Sequence, residues 1–92
     1  MDTRILKVLS QSEAVTLQKQ DGSTIQKSTI VLQELGGKYE DSYACTLLGN
    51  AALCKFYPGD LVCAALRFQH REYQGSVYQD IIVQDIVKVA NK

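Results

Sequence analysis

Phe68-Gln-His-Arg-Glu-Tyr-Gln-Gly-Ser-Val-Tyr-Gln-Asp-Ile-Ile-Val83 reads as a β-hairpin. Two runs that suit strands flank Gln74-Gly75. A glycine at the second turn position fits a type I′ connection, where φ must be positive. A two-residue loop then sets the register. Tyr73 opposes Ser76, Arg71 opposes Tyr78, Gln69 opposes Asp80 and Phe68 opposes Ile81. Side chains alternate between faces along a strand. Leu66, Phe68, Ile81 and Val83 therefore share one face, which should be core. Arg67, Gln69, Arg71, Tyr73, Tyr78 and Asp80 share the other.

Working outward from the hairpin, Leu61–Tyr73 forms a long strand with Val62, Ala64, Leu66 and Phe68 pointing inward. Ser76–Val89 forms the last strand. Pro58-Gly59-Asp60 ends the preceding element and turns the chain. Before it, Ala51–Phe56 has good helix formers behind Asn50 as a cap. Leu53, Phe56 and Tyr57 fall at i, i+3 and i+4, a stripe suited to plugging the end of a barrel. Glu40–Leu48 is a strand that Gly49-Asn50 interrupts. Tyr43, Cys45 and Leu47 form its core face, and Ser42, Ala44, Thr46 and Leu48 its other face. Thr24–Leu35 is a β-prone run in which Ile30 and Leu32 point inward. Asp21-Gly22 is a turn, Ala14–Gln20 a strand, and Ser10-Gln-Ser-Glu13 a bend or bulge after the opening strand Arg4–Leu9. The order is β-β-β-α-β-β in a single domain over residues 1–92. All-β with one short helix, in that order, matches the five-stranded Greek-key OB-fold barrel. Another small barrel or a sandwich is the alternative.

Apolar residues make up 46% of the chain and charged residues 22%, which is ordinary globular composition. No apolar run approaches the roughly 20 residues of a membrane-spanning helix. The N-terminus alternates polar and apolar residues without a signal-peptide core, so a cytoplasmic protein is expected. Cys45, Cys54 and Cys63 sit among apolar neighbours and read as buried free thiols. Those three with His70 would give four zinc ligands, but no Cys-x-x-Cys pairing supports a metal site. His70 is the only histidine, no glycine-rich phosphate loop occurs, and Glu40-Asp41 is the only adjacent acidic pair. Neither an enzyme nor a cofactor is expected.

Three stretches resemble a known family. Leu47-Leu-Gly-Asn-Ala-Ala52 is similar to the apolar-Gly-x-x-Ala passage of bacterial single-stranded DNA-binding proteins. Pro58-Gly59-Asp60-Leu-Val62 resembles the Gly-Asp-x-Val start of their fourth strand. Arg71-Glu-Tyr-Gln-Gly-Ser-Val-Tyr-Gln-Asp-Ile81 resembles a segment of a short bacterial OB-fold family of unknown function related to them. The resemblance implies an OB barrel that binds single-stranded nucleic acid, DNA first, as an accessory to replication, recombination or repair. The chain departs from that family where its tryptophans fall here at Ile25, Leu48 and Val77. Base-stacking aromatics on the second and third strands are therefore missing.

The expected contact residues are Arg67, Gln69, Arg71, Tyr73 and Tyr78 on the hairpin, with Lys19, Lys27 and Lys38 along the first hairpin and the loop after the second strand, and Tyr39 at a barrel mouth. Arginine meets phosphate, tyrosine stacks on a base, and glutamine reads a base edge. The plainer reading is a solvated arm with ordinary surface lysines, and with Tyr39 on the barrel rim. Ten basic and ten acidic residues give no net charge, which argues against tight non-specific binding. The alternative function is a protein-interaction or self-associating module. It rests on Ile81, Ile82, Val83, Ile86, Val87 and Val89, which cannot all face one core at a period of two. The remainder would lie in the subunit interface of a homo-oligomer or be covered by the opening strand.

Overall fold

The computed structural model describes residues 2–36 and 40–90. The strands are β1 (Asp2–Gln11), β2 (Val15–Gln18), β3 (Thr24–Gln33), β4 (Ser42–Leu48), β5 (Leu61–Tyr73) and β6 (Ser76–Ala90). One short helix, α1 (Asn50–Leu53), lies between β4 and β5. The sheet order is β1-β5-β6-β4-β3-β2, and a further β1–β3 pairing closes the ring. Every pairing is antiparallel except that of β4 with β6, where Thr46 lies beside Ile82. β1 and β2 together are the bent opening strand of the sequence reading. The bend begins at a register shift between Val8 and Ser10. There β1 passes from β5 to β3, which closes the barrel.

Alternation explains the core. Leu6 and Val8 of β1, Ile30 and Leu32 of β3, Cys45 and Leu47 of β4, and Val62, Ala64 and Leu66 of β5 are all buried. From β6, Val83 is buried, and Ile81 and Ile86 pack on the cluster. Ile82 and Val87 point outward. Two register shifts in the β5–β6 pairing, at Ala65/Leu66 and Leu61/Val62, reset which residues face inward. The hairpin register is the expected one from Leu66↔Val83 to Tyr73↔Ser76, with one residue skipped only after Val83. Gln74 has φ 51° and Gly75 φ 82°, the two positive values of a type I′ turn.

Three expectations change. The helix is one turn rather than the six residues Ala51–Phe56, and Gly49, not Asn50, precedes it as the cap residue. The barrel end is covered by buried Ala52 and half-buried Phe56, while Leu53 and Tyr57 are exposed. Gln11 is the cause. Its Nε2 donates to the Cys54 carbonyl at 2.8 Å, and its Oε1 accepts the Phe56 N–H at 2.8 Å. Those bonds hold the chain extended where helix would continue, so the i, i+3, i+4 stripe never forms. Phe68 is 43% exposed instead of core. It lies on the part of β5 that runs out into the hairpin, outside the buried cluster, and Arg4 reaches it with Cζ 5.7 Å from the ring centroid. Finally, only Cys45 of the three free thiols is buried; Cys63 is half-buried and Cys54 exposed.

Burial pushes the Cys45 thiol up to about 11. Thiolate is the reactive form. Cys54 should therefore react first with a disulfide reagent at pH 8, Cys63 more slowly, and Cys45 only on unfolding. Mass spectrometry of modified peptides over time checks this order, and early modification of Cys45 would contradict it.

Candidate nucleic-acid interface

β5 and β6 run beyond the barrel as a two-stranded arm. Its outer face carries Arg67, Gln69, Arg71 and Tyr73 from β5, with Tyr78 and Asp80 from β6, as the register demands. Arg71 Nε donates to Asp80 Oδ2 at 2.9 Å, and its Cζ lies 5.2 Å from the Tyr78 ring centroid. The guanidinium thus covers one side of that ring. Tyr78 remains 45% exposed and Tyr73 63% exposed. Glu72 belongs to the opposite face of the arm, so the outer face holds two arginines against one aspartate.

That face continues onto the barrel. Thr29 pairs with Thr46, Thr46 lies beside Ile82, and Ile82 pairs with Arg67, forming one row across β3, β4, β6 and β5. Ala44 and Ser42 extend the β4 part of this floor, and Val31 the β3 part. Among the described residues the floor carries no aromatic ring. Lys27, half-buried, stands between Val15 and Leu48 at its far side. Lys19 lies in the β2–β3 turn, where its N–H donates to the Ser23 carbonyl at 2.7 Å. In the same turn, hydrogen bonds from the Ser23 hydroxyl and N–H lower the Asp21 carboxyl below its ordinary range.

Of the expected contact residues, Arg67, Gln69, Arg71, Tyr73 and Tyr78 come together on the arm. Lys27 shares the wider face, Lys19 sits at the tip of the β2–β3 hairpin, and Lys38 and Tyr39 lie outside the described residues. Tyr43 packs on the core as expected, with its hydroxyl taking a hydrogen bond from Arg4 Nη1 at 2.7 Å. The sequence reading missed Thr29, Val31 and Ile82 as floor residues. Alternation along the second strand could have found the first two. Ile82 needed the β4–β6 pairing, which no local signal announces.

The Arg71–Asp80 pair yields a prediction. Both side chains are partly solvated, at 64% and 33% exposure, so the pair adds little stability. Its carboxylate nevertheless stands beside the arginine that would meet phosphate. Asp80→Asn should leave the melting temperature nearly unchanged while tightening binding of a labelled oligothymidine by about threefold at low salt. Weaker binding by Asp80→Asn would contradict this account of the pair.

Among solved structures, the chain is similar to the second OB-fold domain of replication protein A from Methanococcus maripaludis. The TM-score is 0.75 at 20% identity, covering 98% of this chain and 84% of that one. No protein-family model matches the chain, and no curated protein does. The barrel is therefore an OB fold, as its strand order also indicates.

Proposed function

We propose that this OB-fold chain binds single-stranded nucleic acid, DNA first, along the outer face of the β5–β6 arm and the β4–β6–β3 floor beside it. The observation that carries the reading is the Tyr78 ring, exposed at 45% and under the Arg71 guanidinium, with Arg67, Gln69 and Tyr73 on the same face. A base stacked on the exposed surface of Tyr78 would extend an existing cation–π contact. Arg67 and Lys27 stand on the two sides of the floor, where they would meet phosphates. Small residues such as Ala44 and Thr46 let a backbone approach closely but provide no stacking platform.

This arrangement describes a modest binder. Two or three phosphate contacts give a salt dependence with log K against log[salt] sloping at roughly −2. Similarity of the hairpin to the family related to single-stranded DNA-binding proteins supports the reading. So does fold similarity to a domain of a protein named for replication. An accessory role in replication, recombination or repair suits a weak binder better than coating of long single strands. Titrating a fluorescent oligothymidine at low and moderate salt tests the proposal. Saturable binding in the micromolar range that weakens with salt is expected. An anisotropy that stays flat to high micromolar protein at low salt would overturn it.

A further inference from the structure

A second outer surface lies on the barrel below the arm, across β1, β5 and β6. Register fixes its layout as three rows. Thr3, Ala65 and Asp85 form the first, Ile5, Cys63 and Val87 the second, and Lys7, Leu61 and Ala90 the third. Cys63 is at the centre. Ile5 and Val87 are each 56% exposed, and Val89 at the margin is 52% exposed. Leu61, Cys63 and Ala65 are half-buried. Apolar side chains therefore fill the middle of the surface. Lys7 and Asp85, one cation and one anion, occupy opposite corners.

We infer that this surface joins two copies of the chain in a two-fold dimer. Self-complementarity is the reason. A two-fold axis lying in the contact plane, through Cys63 and perpendicular to the line from Lys7 to Asp85, exchanges those two corners. Each Lys7 then faces Asp85 of the second copy, and the pair occurs twice. The same operation sets Ile5 over the second copy's Ala65 and Val87 over its Leu61. Large side chains thus meet smaller or half-buried ones. Strands of the two sheets cross at a steep angle, as in orthogonal sheet packing. Such isologous contacts are the commonest form of homodimer. With ten basic and ten acidic residues in the chain, no net charge opposes the approach of a second copy.

The inference stands independently of nucleic-acid binding, since the arm and floor residues lie outside the contact. If both hold, the dimer presents two arms, and a strand long enough to reach both would bind more tightly than a short one.

Sedimentation equilibrium of the full chain from 5 μM to 1 mM tests the inference, with circular dichroism confirming that each variant is folded. A monomer–dimer equilibrium within that range is expected. Val87→Glu should abolish it. Lys7→Glu should weaken it by about tenfold, because two Lys–Asp pairs become like-charge contacts. Lys7→Glu combined with Asp85→Lys should restore association to within about threefold of the parent, since it exchanges the charges and keeps the pairing. Rescue by the exchanged pair requires Lys7 and Asp85 of different copies to meet. A monomer at every concentration, association unaffected by Val87→Glu, or failure of the exchange to rescue would each overturn the inference. Loss of oligothymidine binding with the dimer intact would count against the proposed function and not against the dimer.

Discussion

Asp60→Ala should be the most destabilising polar substitution in the chain, costing about 2–4 kcal/mol in urea unfolding. Asp60 is 4% exposed. Its Oδ2 accepts the Tyr57 N–H at 2.9 Å and Lys88 Nζ at 3.1 Å. The residue's own backbone fastens the turn to the opening strand. Its carbonyl accepts the Val8 N–H at 2.8 Å, and the Gly59 N–H donates to the Val8 carbonyl at 2.8 Å. The carboxylate therefore holds in shape a turn that secures β1 at its bend, where the barrel closes. Truncation leaves the Tyr57 N–H without its acceptor and Lys88 without its ion-pair partner. Lys88 is 36% exposed and can recover part of its solvation, which keeps the cost below that of a fully buried pair. Asp60→Asn keeps an oxygen acceptor for Tyr57 and should cost about half as much. A loss under 0.5 kcal/mol for Asp60→Ala would show that the turn is held by its backbone bonds alone. For a chain of this size, the predicted loss lowers Tm by roughly 10–25 °C.

The second large effect concerns binding. Tyr78→Ala should weaken oligothymidine affinity by roughly 5- to 150-fold, the range of one lost base–aromatic stack. The ring also organises Arg71, so its removal frees the guanidinium to turn wholly onto Asp80. Tyr78→Phe keeps the stacking surface and should stay within about threefold of the parent. Arg67→Ala should act differently. Losing one phosphate contact flattens the salt slope by about 0.7–1 while weakening all sequences alike. These side chains lie outside the buried cluster, so stability should change by less than about 0.5 kcal/mol in each case. Equal affinities for Tyr78→Ala and the parent would remove the arm from the binding site. An unchanged salt slope in Arg67→Ala would remove Arg67 alone.

The hairpin was legible because two local rules agree there. A two-residue turn with glycine second sets the register, and period-two alternation sets the faces. The helix was misread because its end is set by Gln11, which bonds Phe56 from 45 residues away. No helix propensity encodes that competition. Phe68 shows a different limit. Alternation assigns a side chain to a face but does not say how much of it is covered, and Phe68 lies outside the buried cluster with the Arg4 guanidinium over its ring. Arg71 and Asp80 are a diagonal pair, since the register sets Arg71 opposite Tyr78 and Gln69 opposite Asp80. Their ion pair depends on rotamers that a register leaves open. The floor row through Ile82 depends on a single parallel bridge between β4 and β6, which no turn or alternation pattern encodes.

Backbone amide NMR of the 15N-labelled chain, titrated with oligothymidine, locates the contact surface. A ligand on one continuous surface should perturb amides in 67–73 and 76–82 of the arm and in 29–31 and 44–48 of the floor. Amides near Ile5, Cys63 and Val87 should stay still at protein concentrations that keep the chain monomeric. Perturbations centred on that apolar surface, or on the groove that Ser10–Ala14 and Ala52–Pro58 line, with the arm unaffected, would contradict that contact surface.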